Sequence, residues 1–394
     1  MNYYERANNL QNETIENRRY IHTNAEIGLE MPKAKKYVME KLREYGIDAK
    51  ECGHGVSATI GNGGKTILLR ADMDALPMPE ESGLPFACPT KTEAHTCGHD
   101  LHTAMLLTAA KMLKENESEL KGTVKLMFQP AEETFEGGKD MINAGILENP
   151  KVDVALSYHV GPGGPPGGYF YNNEAAMMAS CDGFRITIKG KGAHGGYPNL
   201  SIDPLNIANH IYSGLQHLIA RENDPAEPSV LTVGKISGGS AFNIIPETAV
   251  IEGSIRTMSR EARSLLVNRM KEVAEGTAKT YGGEVEIEML AEVPPLICDV
   301  ELTNEILEYM SEIPFANKYS VPGIKSGGSE DFAEIAERVP STYMFLAAGF
   351  PGEEPGKSHN PSVRFNEDVM PFGAASLAYC ATEWLKNIAN EGRE

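Results

Sequence analysis

A change of rhythm near residue 180 is what most constrains the fold of this chain. Up to that point strands and helices alternate: 56–60 and 66–70 read as strands, 101–113 as a helix, 123–128 as a strand, 138–144 as a helix and 152–158 as a strand. From 180 to 292 the order becomes strand 184–188, helix 204–219, strands 229–236 and 248–255, helix 260–281 and strand 284–289. Pro294-Pro295 closes that stretch, after which a helix at 303–310, a strand at 342–346 and a last helix from about 370 resume the first pattern. Before all of these, 15–45 is charged with apolar residues at helical spacing (Tyr37, Val38, Leu42, Tyr45), the pattern of surface helices.

Strand and helix alternation predicts an α/β domain with a substantially parallel sheet. The β-α-β-β-α-β order predicts a ferredoxin-like unit, four strands backed by two helices, that closes a core of its own. We therefore expect residues 1–179 and 293–394 to form one domain and residues 180–292 to be inserted into it. Within the first domain, Gly61-Asn-Gly-Gly64 supplies turn chemistry and predicts a hairpin between strands 56–60 and 66–70.

The bulk numbers exclude several classes of function. A chain of 394 residues with 41% hydrophobic content can fill an ordinary core, and a formal charge of −19 disfavours nucleic acid or an anionic membrane as partner. The opening Met1-Asn-Tyr-Tyr-Glu-Arg lacks the pattern of a secretory signal, and no apolar run approaches the roughly 18 residues of a membrane helix, so a cytoplasmic protein is expected. Six cysteines, at 52, 88, 97, 181, 298 and 380, are too scattered for a disulfide scaffold.

Chemistry concentrates just after the strands. Asp72 and Asp74 follow strand 66–70, Glu132 and Glu133 follow strand 123–128, and His159 follows strand 152–158. In an open α/β sheet the crevice beyond the carboxyl ends of the strands is the usual place for a site, so residues distant in sequence can converge there. Cys97 and His99, in His95-Thr-Cys97-Gly-His99-Asp100, and His359, in Lys357-Ser-His-Asn-Pro361, add thiolate and imidazole, which zinc-like ions favour. Two adjacent carboxylates are either solvated or held by positive charge. In the second case one can bind metal while the other holds a water as general base, the division of labour of metal-assisted hydrolysis. Alone, His159 and His359 are more often surface or hydrogen-bonded histidines than ligands, and His102, at i+3 from His99, has no separate role that the sequence identifies.

Seven motifs in order then resemble the dinuclear metallo-amidohydrolases, the family of N-acyl-amino-acid amidohydrolases, hippurate hydrolase and auxin-conjugate hydrolases. They are Arg70-Ala-Asp-Met-Asp-Ala-Leu-Pro77, Cys97-Gly-His-Asp100, Gln129-Pro-Ala-Glu-Glu133, Gly192-Ala-His-Gly195, Asn243-Ile-Ile-Pro246, Gly327-Gly-Ser-Glu-Asp331 and His359-Asn-Pro361. The resemblance implies a zinc-peptidase-like catalytic domain with an inserted ferredoxin-like lid and dimerisation domain. It also implies two divalent ions per subunit (zinc or manganese, with cobalt or nickel as alternatives), Cys97 bridging them, His99 and His159 completing one position and Glu133 and His359 the other.

Glu132 becomes the general base by the same resemblance. The wider superfamily carries His-x-Asp where this chain has Asp72-Met73-Asp74, so that histidine is missing, His99 replaces it, and Asp74 keeps a supporting role. His194 resembles the lid histidine that stabilises the oxyanion, and Asn243 and Arg256 resemble residues that hold the substrate carboxylate. The implied activity is hydrolysis of the amide bond of N-acyl-L-amino acids by a homodimer or higher homo-oligomer. A dipeptidase or carboxypeptidase with the same metal centre, a thiolate mechanism through Cys97, and a non-catalytic binding protein are the rival readings.

Overall fold

Strands Thr66–Asp72 and Thr123–Gln129 are buried at every position, the behaviour of apolar runs covered on both faces of a sheet. The structure, a computed structural model, describes residues 1–174, 176–313, 320–354 and 356–391. It divides into two units, one of Met1–Met177, Ile297–Ile324 and Asp331–Glu394, the other of Met178–Leu296 and Lys325–Glu330.

The first unit is built on an eight-stranded sheet in the order Ala49–Cys52, Gly55–Gly61, Thr123–Gln129, Thr66–Asp72, Val154–Gly161, Ser341–Ala347, Tyr169–Tyr171, Ser320–Val321. Its four central strands, from Thr123–Gln129 to Ser341–Ala347, are mutually parallel, so their carboxyl ends lie along one edge. Helix His99–Glu115 is buried along nearly its whole length, packed on this sheet and covered by helices Gln11–Thr23, Pro32–Glu44 and Met370–Glu391. That position fixes the start of the helix, and with it His99, beside the strand ends.

The expected hairpin around Gly61–Gly64 does not form. Strand Thr123–Gln129 lies between the two strands, antiparallel to Gly55–Gly61 and parallel to Thr66–Asp72. The glycines show why. A Cβ on Gly61 (φ 83°) would stand 2.3 Å from the Gly122 carbonyl oxygen, and one on Gly64 (φ 63°) 2.8 Å from that of Lys121. These residues make room for the chain that enters between the strands, a non-local role that a local turn signal cannot separate from a hairpin.

The second unit contains strands Ser229–Gly238, Thr248–Thr257, Cys181–Lys189 and Glu284–Val293, side by side in that order with every neighbour antiparallel. Numbered along the chain this is 2-3-1-4, the ferredoxin-like order. Helix Pro204–His217 starts at Asp203, whose side chain accepts from the Leu205 and Asn206 amides, and helix Arg260–Thr280 starts at Ser259, which accepts from Ala262. Alternate residues Phe184, Ile186 and Ile188 meet Ile207, Ile211, Leu266 and Met270 in a core separate from that of the first unit. Each such side chain contributes about 1.5–3 kcal/mol by leaving water. Among the described residues no helix is long and apolar enough to cross a membrane.

Candidate metal centre

The edge formed by the parallel strand ends gathers the donor-type side chains of the first unit. Asp72 is the last residue of its strand, Asp74 lies two residues beyond, His159 stands near the end of Val154–Gly161, and Glu132 and Glu133 follow the end of Thr123–Gln129. Cys97 and His99 flank Gly98, which adopts φ 96° immediately before helix His99–Glu115. A Cβ at Gly98 would lie 2.3 Å from Val160 Cγ2 and 3.2 Å from the Phe365 ring, so only glycine lets this turn approach the His159 strand. Ala131 (φ 51°) and His359 (φ 59°) also hold left-handed conformations that cost side-chain-bearing residues energy, and the His359 amide donates to the Thr96 carbonyl at 3.0 Å.

Among the donor trios that result, two share Cys97, namely Cys97–His99–His159 and Cys97–Glu133–His359, each with its ligand-type atoms within 4.8 Å of one another. The Cys97 sulfur is 3.3 Å from His159 Nε2. His359 Nε2 is 3.3 Å from Glu133 Oε1. His99 Nε2 lies 3.9 Å from both Glu133 Oε1 and Glu132 Oε2, so the carboxylate pair opens on the same space.

Hydrogen bonds set which atom each side chain presents. His99 Nδ1 is 3.3 Å from Asp74 Oδ1, and the other Asp74 oxygen accepts from the Glu133 amide at 2.9 Å. Asp74 therefore fixes the His99 ring and the Glu133 backbone together, and His99 is left to present Nε2. His159 donates from Nδ1 to the Val160 carbonyl at 2.8 Å, which leaves its Nε2 lone pair facing Cys97. His99 Nε2 is buried without a hydrogen-bond partner, and Glu133 Oε1 has only the 3.3 Å approach of His359 Nε2, which lacks hydrogen-bond geometry, an arrangement that costs free energy unless another group satisfies them. A divalent cation is the group this donor set suits: a thiol, imidazole nitrogens and a carboxylate around unmet lone pairs.

The electrostatics agree. Burial pushes the Cys97 thiol up to about 12, the opposite of the depressed value that an unaided thiolate nucleophile requires. Burial and the neighbouring His102 and His99 hold His159 well below the usual histidine value, as a neutral imidazole. Burial opposes charge on His99, but the carboxylates of Asp72 and Asp74 outweigh it and raise its pKa well above the usual value. The same negative field favours a metal cation. Burial would likewise raise Glu133, yet His359 and His99 beside it hold it below the usual carboxylate range.

In the second unit His194 and Asn243 are neighbours, because the two-residue strand Ala193–His194 pairs with Ile244–Ile245 and the Gly195 amide donates to the Asn243 carbonyl at 2.8 Å. His194 Nδ1 accepts from the Gly196 amide at 3.0 Å, which places the ring proton on Nε2 and makes the exposed imidazole a donor. Arg256 donates to the Gly327 carbonyl (3.1 Å) and Ser329 Oγ (2.8 Å), and none of its described contacts is a carboxylate.

Residues that sequence reasoning left aside hold this assembly in place. Arg70 is fully buried and donates to Asp72 Oδ2 (2.8 Å), Gln129 Oε1 (2.9 Å) and Asp331 Oδ1 (3.2 Å), tying neighbouring strand ends together. Asp100, just after His99, accepts from Arg18 at 2.6 Å and from His22 at 2.8 Å, anchoring the helix start to Gln11–Thr23. Asp100 and Arg70 lie inside quoted motifs and could have been flagged there. Arg18 and His22 carry no local signal.

A profile of peptidase family M20/M25/M40 matches residues 68–383. The chain is 35% identical over 379 residues to N-acetylcysteine deacetylase of Bacillus subtilis (strain 168), covering 95% of this chain and 97% of that protein. It is also 35% identical over 382 residues to thermostable carboxypeptidase 2 of Saccharolobus solfataricus, covering 94% and 95%. The crystal structure of a dinuclear metal binding peptidase of the M20 family from Bacillus subtilis superposes with a TM-score of 0.82 at 32% identity, over 96% of this chain and 99% of that one. With a paired donor set suited to divalent ions and relatives of this kind along nearly its whole length, the chain belongs to peptidase family M20/M25/M40 and is a metal-dependent amidohydrolase.

Proposed function

We propose that the chain cleaves the amide bond of N-acyl-L-amino acids to a carboxylic acid and a free amino acid, with one divalent ion held by Cys97, His99 and His159 and a second by Cys97, Glu133 and His359. The observation that carries this reading is the pair of donor trios sharing Cys97, with Glu132 Oε2 3.9 Å from His99 Nε2. Divalent ions held by these residues would supply polarisation of the amide carbonyl and a water acidic enough to lose a proton near neutral pH. Zinc and manganese are the candidates, with cobalt and nickel as alternatives, and a bridging thiolate leans toward the softer ions.

The chain's own residues divide the remaining work. Glu132 accepts the proton of the attacking water and returns it to the departing amine nitrogen. Asp74 keeps His99 and the Glu133 backbone aligned while this happens. His194 donates its Nε2 proton in a hydrogen bond to the oxyanion, and Asn243 and Arg256 hold the free carboxylate of the substrate. Residues 180–292 serve as lid and dimerisation domain of a cytoplasmic homodimer or higher homo-oligomer; exposed apolar side chains on the second unit, among them Phe242, Ile244, Tyr197 and Leu200, support the self-association.

Similarity to a carboxypeptidase favours one second reading, in which the same residues cleave peptides. Turnover on N-acetyl and N-benzoyl amino acids, set against dipeptides with free amino groups, separates the two. Preference for the acylated compounds supports the first reading. Hydrolysis confined to the dipeptides replaces it with the second.

A further inference from the structure

His102 lies at the centre of the candidate site, and neither of its nitrogens is available to a metal. Its Nε2 accepts the Val160 amide at 2.8 Å, so the ring proton is on Nδ1, which faces Asp72 Oδ1. The second Asp72 oxygen accepts from Arg70 at 2.8 Å. The grouping of Asp72, His99 and His102 thus has the proximity of a metal site, but the lone pairs of two of its members are engaged in these hydrogen bonds.

The Val160 amide explains the arrangement. The ladder between strands Thr66–Asp72 and Val154–Gly161 ends at the pair Arg70–Ser157, three residues short of Val160. Beyond it, on the side of Thr66–Asp72, His102 accepts the buried backbone N–H, while on the other side Val160 remains paired with Leu346 of Ser341–Ala347. Val160 is also the residue whose carbonyl orients His159 through Nδ1 at 2.8 Å, and the His102 ring packs edge-on against that of His159 with centroids 4.6 Å apart. One imidazole, rooted in helix His99–Glu115 and braced by Asp72, therefore sets both the backbone and the ring of His159.

We propose that His102 is a positioning residue that sets metal affinity at the Cys97–His99–His159 position and leaves the Cys97–Glu133–His359 position largely alone. The inference rests on the two-ion reading above. Two variants divide the ring's functions: His102→Asn keeps a donor near Nδ1 but leaves the Val160 amide without an acceptor, whereas His102→Gln places an acceptor near Nε2 and loses the bond to Asp72.

The test is a competitive chelator titration of each purified protein with zinc, elemental analysis, and thermal unfolding of the metal-free forms. His102→Asn should lose about 10–100-fold in affinity for one of the two ions, the usual range when a partner of a metal-binding histidine is removed. His102→Gln should hold both ions within a few-fold of wild type. Matching melting temperatures for the two variants assign the difference to ligand positioning rather than to folding. If wild type takes up two ions and His102→Asn titrates identically, or if Asn and Gln weaken both ions alike, the positioning role is wrong. A wild type that binds no second ion overturns the two-ion reading and this inference with it.

Discussion

Replacing Gly98 by alanine tests how tightly the turn between Cys97 and His99 is dictated by its surroundings. The backbone there holds φ 96°, which costs a residue with a side chain about 1–3 kcal/mol. The added Cβ would also meet Val160 Cγ2 at 2.3 Å, and the short β-branched Val160, itself fully buried, cannot swing away. Overpacking of this kind costs about another 1–3 kcal/mol, for a total of about 2–6 kcal/mol. At roughly 2–4 °C per kcal/mol for a domain of this size, the melting temperature should fall by about 4–24 °C. Gly63→Ala is the control, because Gly63 has φ 68° but nothing within 4 Å of the new Cβ, so it carries the backbone cost alone. Calorimetry of the two variants, with metal content measured alongside, separates the contributions. Gly98→Ala should also lose metal, since either Cys97 or His99 must move. If it melts within 2 °C of Gly63→Ala and stays fully loaded, the close approach to the His159 strand does not govern the site.

Other consequences follow from single groups. Cys97→Ala should lose both ions, or hold them far more weakly, in elemental analysis, whereas His359→Ala should retain the ion of the Cys97–His99–His159 position. At acid pH, Glu80 is the group to watch: burial would raise it, but the hydrogen bond and charge of His22 pull it down to about 2 from 4.5. A depressed carboxylate contributes stability that is present above pH 4.5 and lost as pH falls toward 2, so the gap in urea stability between wild type and Glu80→Gln should narrow over that interval. His22 works in the opposite direction. Burial lowers its pKa, but Asp100 and Glu80, at 2.8 Å and 2.9 Å from its two nitrogens, raise it above 6.5 overall. Its contribution is therefore complete below pH 6.5 and disappears as pH rises through the elevated value, which a comparison of His22→Gln with wild type from pH 6 upward reads directly.

Much of this architecture was legible because the informative patterns are local. The βαββαβ order follows from periodicity within short windows, and the donor residues announce themselves by type and by their place just after apolar strands. Partner choice over distance was not legible. The glycines at 61 and 64 look the same in sequence whether they turn a hairpin or make room for Gly122 and Lys121, and only the second use occurs. His102 was visible as a histidine at i+3 from His99, but its role depends on Val160, 58 residues away, having run past the end of its ladder with strand Thr66–Asp72. Arg18 and His22 reach Asp100 across 82 and 78 residues, a link set by helix packing rather than by any motif.

The division of labour between the adjacent carboxylates Glu132 and Glu133 is tested most directly by one paired measurement. Glu132→Gln keeps shape and hydrogen bonding but cannot take a proton, so turnover on an N-acyl amino acid should fall by roughly 10²-fold or more while the protein still carries two ions per chain. Glu133→Gln should instead lose metal first and activity as a consequence. Metal content and turnover measured together on both variants give the answer: a fully loaded, inactive Glu132→Gln is the predicted result, and a fully loaded Glu132→Gln with near-normal turnover would contradict the mechanism.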